Sequence, residues 1–542
     1  MASALTAVAG SMPADASPAP RLQLPAQPHP WARLARHLLD PESAHRGHLW
    51  PRWIFLRILG LIFLSAFLSL LFQINGLIGP RGLLPAREYL ADLAAHFGAA
   101  RFWYAPTLLW LANGHFALQL LCWLGLAASL LLVVNRWPRW AIAAAEVLFL
   151  SFVVAARDFS AYQSDGMLLA AGLIAWFFAP PGRRPGLGRD HPPTPASLFL
   201  LQWLWFRIYF ESGLAKLLGG DPQWRHFTAL DAYYQNCPLP TWIGWFMQHL
   251  PHGFHAVMTG VTLALELGVC WLLFLPRRAR LTCFFIVTAF QIGIALTANY
   301  AFINWIEGGL GVLLLDDLFL ARWQKRPRNA GAGEEPQREP ARPRHAPVRR
   351  WTEGIVLGWV FYATLALLLW MPWPRLPLPA APVLALEPFR VANEYGLFAV
   401  MTPARYEIEF QGSNDDAHWT PYPFRFKPQA LNQAPGIYAP YQPRFDWNLW
   451  FASLGPWRQY PWVVRAEALL LDNDPAVTGL FAANPFARAP PRFVRAVLWQ
   501  YWFTDWRTWR LTGNWWRRES HGLYAPELEK VAPGKIVVVA WP

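Results

Sequence analysis

The sequence predicts a polytopic α-helical membrane protein with about nine spans, followed by a C-terminal extracytoplasmic β-rich (α+β) domain. Hydrophobic residues make up 54% of the 542 residues and charged residues only 15%, which is far from the balance of a soluble enzyme. Several apolar runs approach or exceed the length of roughly 18 residues that crosses a bilayer. Beyond residue 373, short alternating runs replace the long apolar ones, as is typical of antiparallel strands.

The first eight spans are expected in the first 320 residues and the ninth near residue 360. The predicted spans are 53–72, 107–134, 138–156, one ending at Phe178, 197–218, 255–276, 281–297, 301–320 and 352–372, with an interfacial helix at 86–97. In the β-rich domain, strands are predicted at 397–401, 405–410, 423–426 and 536–540, and helices at 447–454 and 462–471.

These elements divide the chain into five parts. They are a disordered cytoplasmic N-terminus (1–50), a transmembrane bundle (51–320) with an aromatic outer loop (219–254), a basic cytoplasmic linker (321–350), a last transmembrane helix (351–372) and a periplasmic or lumenal β-rich domain (373–542). Of the four cysteines only Cys237 lies in a predicted loop, so no disulfide framework and no cysteine metal site are expected.

Positive charge is concentrated in the loops between apolar runs. The net charge is +13, and arginine clusters occupy 135–139, 180–196, 277–280 and 321–350. Such clusters mark the cytoplasmic side of a membrane protein, so the charge does not indicate a nucleic-acid partner. The N-terminus is therefore expected in the cytoplasm and the β-rich domain outside. The high Arg, Ala, Pro and Trp content favours a bacterial inner membrane, with the endoplasmic reticulum membrane as the eukaryotic equivalent.

The fifth predicted span carries three charged residues, Arg207, Glu211 and Lys216. Each charge at the centre of a bilayer costs roughly 2.5–3.5 kcal/mol on insertion scales, so these residues need partners or a function. Arg207 and Glu211 are four residues apart and are expected to pair on one helix face.

Other polar residues are predicted to join these three charges where the extracytoplasmic ends of spans five to eight converge. Two hypotheses account for the group. In the first, Lys216 is a desolvated base, with Glu211 and Glu266 as further candidate catalytic residues acting on a quinone-like or lipid substrate. In the second, the same residues form a buried network that locks the helices together. The network residues are Arg207, Asp165, Asn299, Asn304 and Glu307. No metal site is predicted, and the sequence assigns no cofactor.

Aromatic residues and arginines are concentrated in the outer loop and the β-rich domain. These residue types dominate protein interfaces, so they predict a surface for a client protein. The alternative is that they dock the β-rich domain onto the bundle and the lipid boundary. The candidate interface residues are Trp224, Tyr233, Tyr234, Trp242, Trp245, Trp447, Trp450, Arg517 and Arg518.

Several motifs in fixed order resemble the lipase maturation factor family over roughly residues 50–540. The motifs are Gly213-x-x-Lys216-Leu217, Asp221-Pro222-x-Trp224, Gln163 with Asp165, Arg444-Phe445-Asp446-Trp447, Asn484-Pro485-Phe486 and Trp515-Trp516-Arg517-Arg518. The chain departs from the family pattern at Ser164 and Ala170, where Trp and Glu are common. The resemblance implies a multi-pass membrane protein, here of a bacterial type, that helps an exported lipase mature in a lipid environment. It leaves the oligomeric state open.

A looser likeness connects the same stretch to the membrane domain of vitamin K-dependent gamma-glutamyl carboxylases. In that family a Gly-x-Lys-Lys-Leu run, followed by a Trp, contains the lysine that acts as base, and Lys216 matches this lysine in position. This likeness implies the enzyme alternative, in which Lys216 acts on a membrane-soluble substrate.

The arginine clusters predict which loops lie in the cytoplasm, and reporter fusions can test this orientation of the protein in the membrane. Alkaline phosphatase folds only outside the cytoplasm, so a fusion after Pro542 should be active and a fusion near Arg344 should be inactive. Enzyme activity normalised to fusion protein level gives the result, and the reverse pattern would invert the predicted topology.

Overall fold

The computed structural model describes residues 46–323 and 347–542. Residues 1–45 and 324–346, which include most of the predicted disordered N-terminus and most of the predicted basic linker, lie outside the described residues.

Each predicted span corresponds to a helix in the described part of the chain. The helices are α1 (Leu49–Ile78), α2 (His115–Val133), α3 (Pro138–Ala155), α4 (Gln163–Phe178), α5 (Pro195–Leu218), α6 (His252–Leu267, continued by the 3-10 turn Val269–Phe274), α7 (Arg277–Thr297), α8 (Ile303–Gly311) and α9 (Pro347–Trp370). The predicted interfacial helix is present as Ala86–Phe97.

Six of these helices, among the described residues, are long and apolar enough to cross a membrane: α1, α2, α3, α6 with its 3-10 turn, α7 and α9. This pattern is that of a multi-pass membrane protein. The helices α4 and α8 are shorter, and α5 carries the three charged residues. The total of nine crossings therefore stays a prediction.

Arginine-bearing loops meet at one end of the bundle. Arg52 donates to the carbonyl oxygens of Leu187 and His191, each at 2.7 Å. Arg139 donates to the Ala179 carbonyl oxygen at 2.7 Å, and Arg277 pairs with Asp316. These contacts place the loops after α2, α4 and α6 on the same side, as the charge pattern predicts.

The C-terminal domain is built on an antiparallel sheet of six strands within the described residues. The strands are β1 (Arg405–Ser413), β2 (Thr420–Pro421), β3 (Phe493–Phe503), β4 (Trp516–Leu523), β5 (Glu527–Ala532) and β6 (Lys535–Ala540). Their order is β2-β1-β3-β5-β6, and β4 also pairs with β3. The longest pairing runs from Arg405 opposite Tyr501 to Ser413 opposite Phe493. Two helices accompany the sheet, α10 (Arg444–Ala452) and α11 (Trp462–Leu471).

Two of the four predicted strands, 397–401 and 423–426, are wrong. Residues 423–426 are irregular. Residues 393–401 form a segment without regular structure, here called the strap, which lies along α5. Its backbone groups bond to side chains of the bundle and of the loop that follows α5, so no partner strand is needed. The central strand β3 was not predicted, because apolar residues occupy both of its faces and hide the alternation.

Buried polar contacts fasten the C-terminal domain to one end of the bundle. Arg444 at the start of α10 donates to both carboxylate oxygens of Asp165, at 2.7 and 2.9 Å, and to the Phe159 carbonyl oxygen. Asn299 accepts from the backbone N–H groups of Tyr438 and Ala439 at 2.6 and 3.0 Å. Asp165 therefore holds the two parts of the protein together, as a member of the predicted network.

Breaking the Arg444–Asp165 pair should destabilise the whole protein. Both side chains are fully buried, so Arg444→Met leaves an unpaired carboxylate and should cost about 3–5 kcal/mol. The double variant Arg444→Met/Asp165→Asn should recover part of that loss. Thermal unfolding of the purified full-length protein measures both effects.

The pair Arg492–Glu529, at 2.6 Å, is the matched control, because its Arg492 side chain is 61% exposed. Solvent screens this pair, so Arg492→Met should change stability by less than about 1 kcal/mol. Equal effects of the two arginine substitutions would show that Arg444 does not anchor the domain.

Candidate functional site

Arg207 and Glu211 form the predicted ion pair on α5. The guanidinium Nε lies 2.6 Å from the carboxylate, and both side chains are buried. Glu211 also accepts the backbone N–H of Tyr395 at 2.9 Å, and Arg207 donates to the carbonyl oxygen of Asn393. The pair therefore holds the strap in place, and both charged side chains have hydrogen-bond partners.

Lys216 is buried near the end of α5. Its ammonium group donates to Glu266 on α6 at 2.8 Å and to the Leu397 carbonyl oxygen of the strap at 2.7 Å. The ammonium also lies 5.0 Å from the centre of the Trp224 ring, within the range of a cation–π contact. The ammonium is thus occupied by a carboxylate and a carbonyl oxygen, so this arrangement suits a structural role better than that of a base.

A cavity of about 320 Å³ lies between α5, α6, α7 and α8 beside this ion pair. It is closed at one end by the outer loop and the strap. Seven of the predicted site residues line it: Lys216, Trp224, Tyr233, Tyr234, Glu266, Asn304 and Glu307. The other members of the predicted network, Arg207, Asp165 and Asn299, do not line it, because they hold the strap and the C-terminal domain. The candidate catalytic residue Glu211 also lies outside the lining and holds the strap.

A chain of hydrogen bonds forms the polar wall of this cavity. Gln291 on α7 donates to the Tyr209 hydroxyl at 2.7 Å and also to the Glu307 carboxylate. Asn304 on α8 donates to the Gln291 side-chain oxygen at 2.6 Å. Sequence analysis missed Gln291 and Tyr209. The sequence does contain a signal for Gln291: its amide lies inside the otherwise apolar stretch of α7, and a buried polar group in a span needs a partner.

A second cavity, of about 490 Å³, lies between the bundle and the C-terminal domain. Tyr162 on the bundle side and Trp447 and Trp450 on the domain side line it. It shares Tyr233 and Phe398 with the first cavity, so the two spaces are separated by few side chains.

The predicted client-interface aromatics mostly face inward. Trp224, Tyr234, Trp245, Trp447 and Trp450 are buried. Trp245 packs against three tryptophans of the C-terminal domain, Trp506, Trp509 and Trp515, with ring centres 4.9–5.5 Å apart. In this conformation these side chains dock the domain on the bundle and are not available to a client, as in the alternative interpretation.

The remaining predicted interface residues lie nearer the surface. Tyr233 is half-buried, whereas Trp242 is 44% exposed. Arg517 is exposed with its guanidinium 4.6 Å from the centre of the Trp502 ring. Arg518 is half-buried and donates to Glu409 at 2.9 Å, so it stabilises the sheet.

No group of three or more His, Cys, Asp or Glu side chains in the described residues could hold a metal ion. Two of the outer-loop histidines have other partners. His249 bridges the carbonyl oxygens of Trp245 and Thr504 at 2.7 and 2.9 Å, and His252 lies 3.0 Å from Asp231.

The fold and the site define a multi-pass helical membrane protein with a sheet domain fastened to one end of its bundle. Two family profiles match the chain: the lipase maturation factor transmembrane domain at residues 50–322 and the lipase maturation factor C-terminal domain at residues 391–526. The chain belongs to the lipase maturation factor family, as its motifs predict.

Individual relatives match both parts of the chain. Lipase maturation factor 1 of Bos taurus is 32% identical over 517 residues, which are 90% of this chain and 91% of the relative. Lipase maturation factor 1 of Homo sapiens is 30% identical over 91% of each chain. Lipase maturation factor 2 of Homo sapiens is 31% identical over 87% of this chain and 82% of the relative. No solved structure matches the chain. The bacterial type and the likeness to carboxylases stay predictions.

Substitutions in the Lys216–Glu266 ion pair distinguish a structural role of Lys216 from a role as catalytic base. Lys216→Met leaves the Glu266 carboxylate buried and unpaired, so a structural role predicts a loss of about 3–5 kcal/mol in the free energy of unfolding. Lys216→Met/Glu266→Gln should recover much of it. Melting temperature and membrane yield measure the effect.

Loss of function in a double variant of normal stability would instead favour Lys216 as a base. Lys216→Arg is the control, because it keeps a cation at the same place.

Proposed function

We propose that this protein is a membrane maturation factor that helps an exported lipase-like enzyme to fold. Family membership over both the membrane and the C-terminal parts supports this function. The domain would face the periplasm in a bacterium, or the lumen of the endoplasmic reticulum in a eukaryote, where such a client folds. The arginine-rich end of the bundle would then face the cytoplasm.

The observation that carries the proposal is the open edge of the sheet. Strand β6 pairs only with β5, so one row of its backbone N–H and C=O groups has no strand beside it in the described chain. The sequence here is Lys535-Ile-Val-Val-Val-Ala-Trp541, and Val538, Val539 and Trp541 are 41%, 43% and 65% exposed. Natural proteins usually protect a hydrophobic edge of this kind, because it pairs with other chains.

An incompletely folded client offers a complementary surface. Folding intermediates expose unpaired strands and apolar side chains. An extended client segment can add to a sheet edge, where main-chain hydrogen bonds supply affinity without requiring one particular sequence. Anchoring this edge to a membrane bundle keeps it where the exported chain emerges. The client surface would therefore be β6 rather than the buried aromatics that sequence analysis selected.

Deletion of the gene tests the function itself. Secreted lipase should lose specific activity, whereas its transcript and the amount of lipase chain synthesised should stay unchanged. Normal specific activity in the deletion strain would refute the maturation role.

Complementation with edge variants tests the surface. Lysine on an edge strand opposes strand addition, so Val538→Lys/Val539→Lys should fail to restore lipase specific activity. The control Ile437→Lys/Leu511→Lys changes two apolar residues away from the edge that are 47% and 75% exposed, more than the two valines, and should restore it. Equal rescue by both variants, at equal protein level, would exclude β6 as the client site while leaving the deletion result intact.

A further inference from the structure

The cavity beside Lys216 opens sideways between α6 and α7. Helix α6 packs against α5, and α7 packs against α8. Met258 and Thr262 of α6 and Gly293 of α7 line the cavity between them. Gly293 is exposed on the outer surface of the bundle, and both helices are among the six that can cross a membrane. The opening therefore faces the lipid.

Most of the cavity wall is apolar. A cavity of about 320 Å³ is at the small end of the range for ligand sites, so it fits a head group and the start of one alkyl chain. The rest of such a chain would leave through the gap into the bilayer. The apolar side chains around the opening and the interior include Ile208, Met247, Met258, Phe290, Ile294 and Leu397.

Two hydrogen-bond acceptors in the wall have no donor in the described chain. They are Oε2 of Glu266 and Oδ1 of Asn304, and each residue is only 7% exposed. Buried polar atoms are normally paired, and an unpaired acceptor costs free energy. The other carboxylate oxygen of Glu266, Oε1, already accepts a hydrogen bond from Lys216. The second is therefore free for a ligand that donates.

The hydrogen-bond chain fixes the orientation of Asn304. Glu307 accepts from the Gln291 amide nitrogen, so the Gln291 oxygen must face Asn304. That oxygen accepts from the Asn304 nitrogen at 2.6 Å, which leaves the Asn304 oxygen as the free atom. These two unpaired oxygens are therefore acceptors that call for two donors from a ligand, whereas the unpaired hydroxyl of Tyr300 in the same wall can donate or accept.

The charges around the cavity disfavour an anionic ligand. The ammonium of Lys216 is neutralised by Glu266, and Glu307 adds a second carboxyl group without a basic partner in direct contact. A fatty acid carboxylate or a phosphate would face these carboxyl groups with no free cation to compensate it.

We propose that this cavity binds an uncharged lipid of the monoacylglycerol class. Its two free hydroxyl groups donate to Glu266 and Asn304, and its single acyl chain leaves between α6 and α7 into the bilayer. The pocket binds the lipid without chemical change, because Lys216 is occupied by its own partners.

Three probes of equal chain length test the head-group chemistry. The full-length protein in phosphatidylcholine nanodiscs is titrated with mono-oleoylglycerol, methyl oleate and oleate at pH 8. Mono-oleoylglycerol should bind saturably at one site. Methyl oleate lacks the two donors and oleate is charged, so each should bind at least tenfold more weakly. Equal binding of methyl oleate and mono-oleoylglycerol would overturn the proposal, as would absence of saturable binding by mono-oleoylglycerol.

Two glycine variants test the position of the site. A Cβ atom at Gly293 would meet no atom within 4 Å, so the backbone there leaves room for a side chain and Gly293→Phe is designed to fill the opening. It should lower the affinity for mono-oleoylglycerol at least tenfold. Gly358→Phe is the control, since Gly358 on α9 is equally open, exposed and outside the cavity lining. Unchanged affinity in folded Gly293→Phe protein would place the lipid elsewhere.

Glu266→Gln tests the acceptor directly. The amide replaces one carboxylate oxygen by a donor, so discrimination between mono-oleoylglycerol and methyl oleate should fall at least tenfold. Retained discrimination in the folded variant would exclude Glu266. The comparison of the three lipids uses the unaltered protein, so its result decides the proposal even if this variant does not fold.

Discussion

The structure depends on the contacts between the charged face of α5 and the backbone of the strap. Arg207 donates to Asn393, Glu211 accepts from Tyr395, and Lys216 donates to Leu397. The nine steps from Arg207 to Lys216 rise about 13.5 Å along a helix. The four steps from Asn393 to Leu397 span about the same length in an extended chain, so the two segments match. Irregular backbone packed against a membrane bundle needs internal partners, and these charges supply them.

This arrangement explains why the charged residues that the sequence suggests as catalytic candidates instead hold the strap against α5. Each charge is expensive in a membrane when it stands alone and tolerable when paired. The strap carries backbone groups that no strand satisfies, and α5 carries charges that no water reaches. Each set satisfies the other, so the bundle and the C-terminal domain stabilise each other.

Local patterns could be predicted from the sequence, whereas partners distant in the chain could not. The spacing of Arg207 and Glu211 fixed their pairing, and the long apolar runs fixed the helices. The partner of Lys216 was only a candidate, because Glu266 lies fifty residues away. The strand β3 was not predicted, because it is buried on both faces and its sequence therefore lacks the alternation of apolar and polar residues. The outer-loop aromatics were predicted at the surface since composition alone does not show whether Trp224 points inward or outward. Gln291 was missed because one amide hardly changes the hydropathy of α7.

The strap has a consequence for biosynthesis. Its contacts with Arg207 join residues 186 positions apart, and those with Lys216 join residues 181 apart. At about 5–20 residues per second, a ribosome needs about ten seconds or longer to make the intervening chain. During that time α5 has already been synthesised, while the backbone that completes its hydrogen bonds has not. A nascent chain stopped after α8 therefore holds an unfinished bundle, and the inserted helices reach their final packing only when translation has passed the strap.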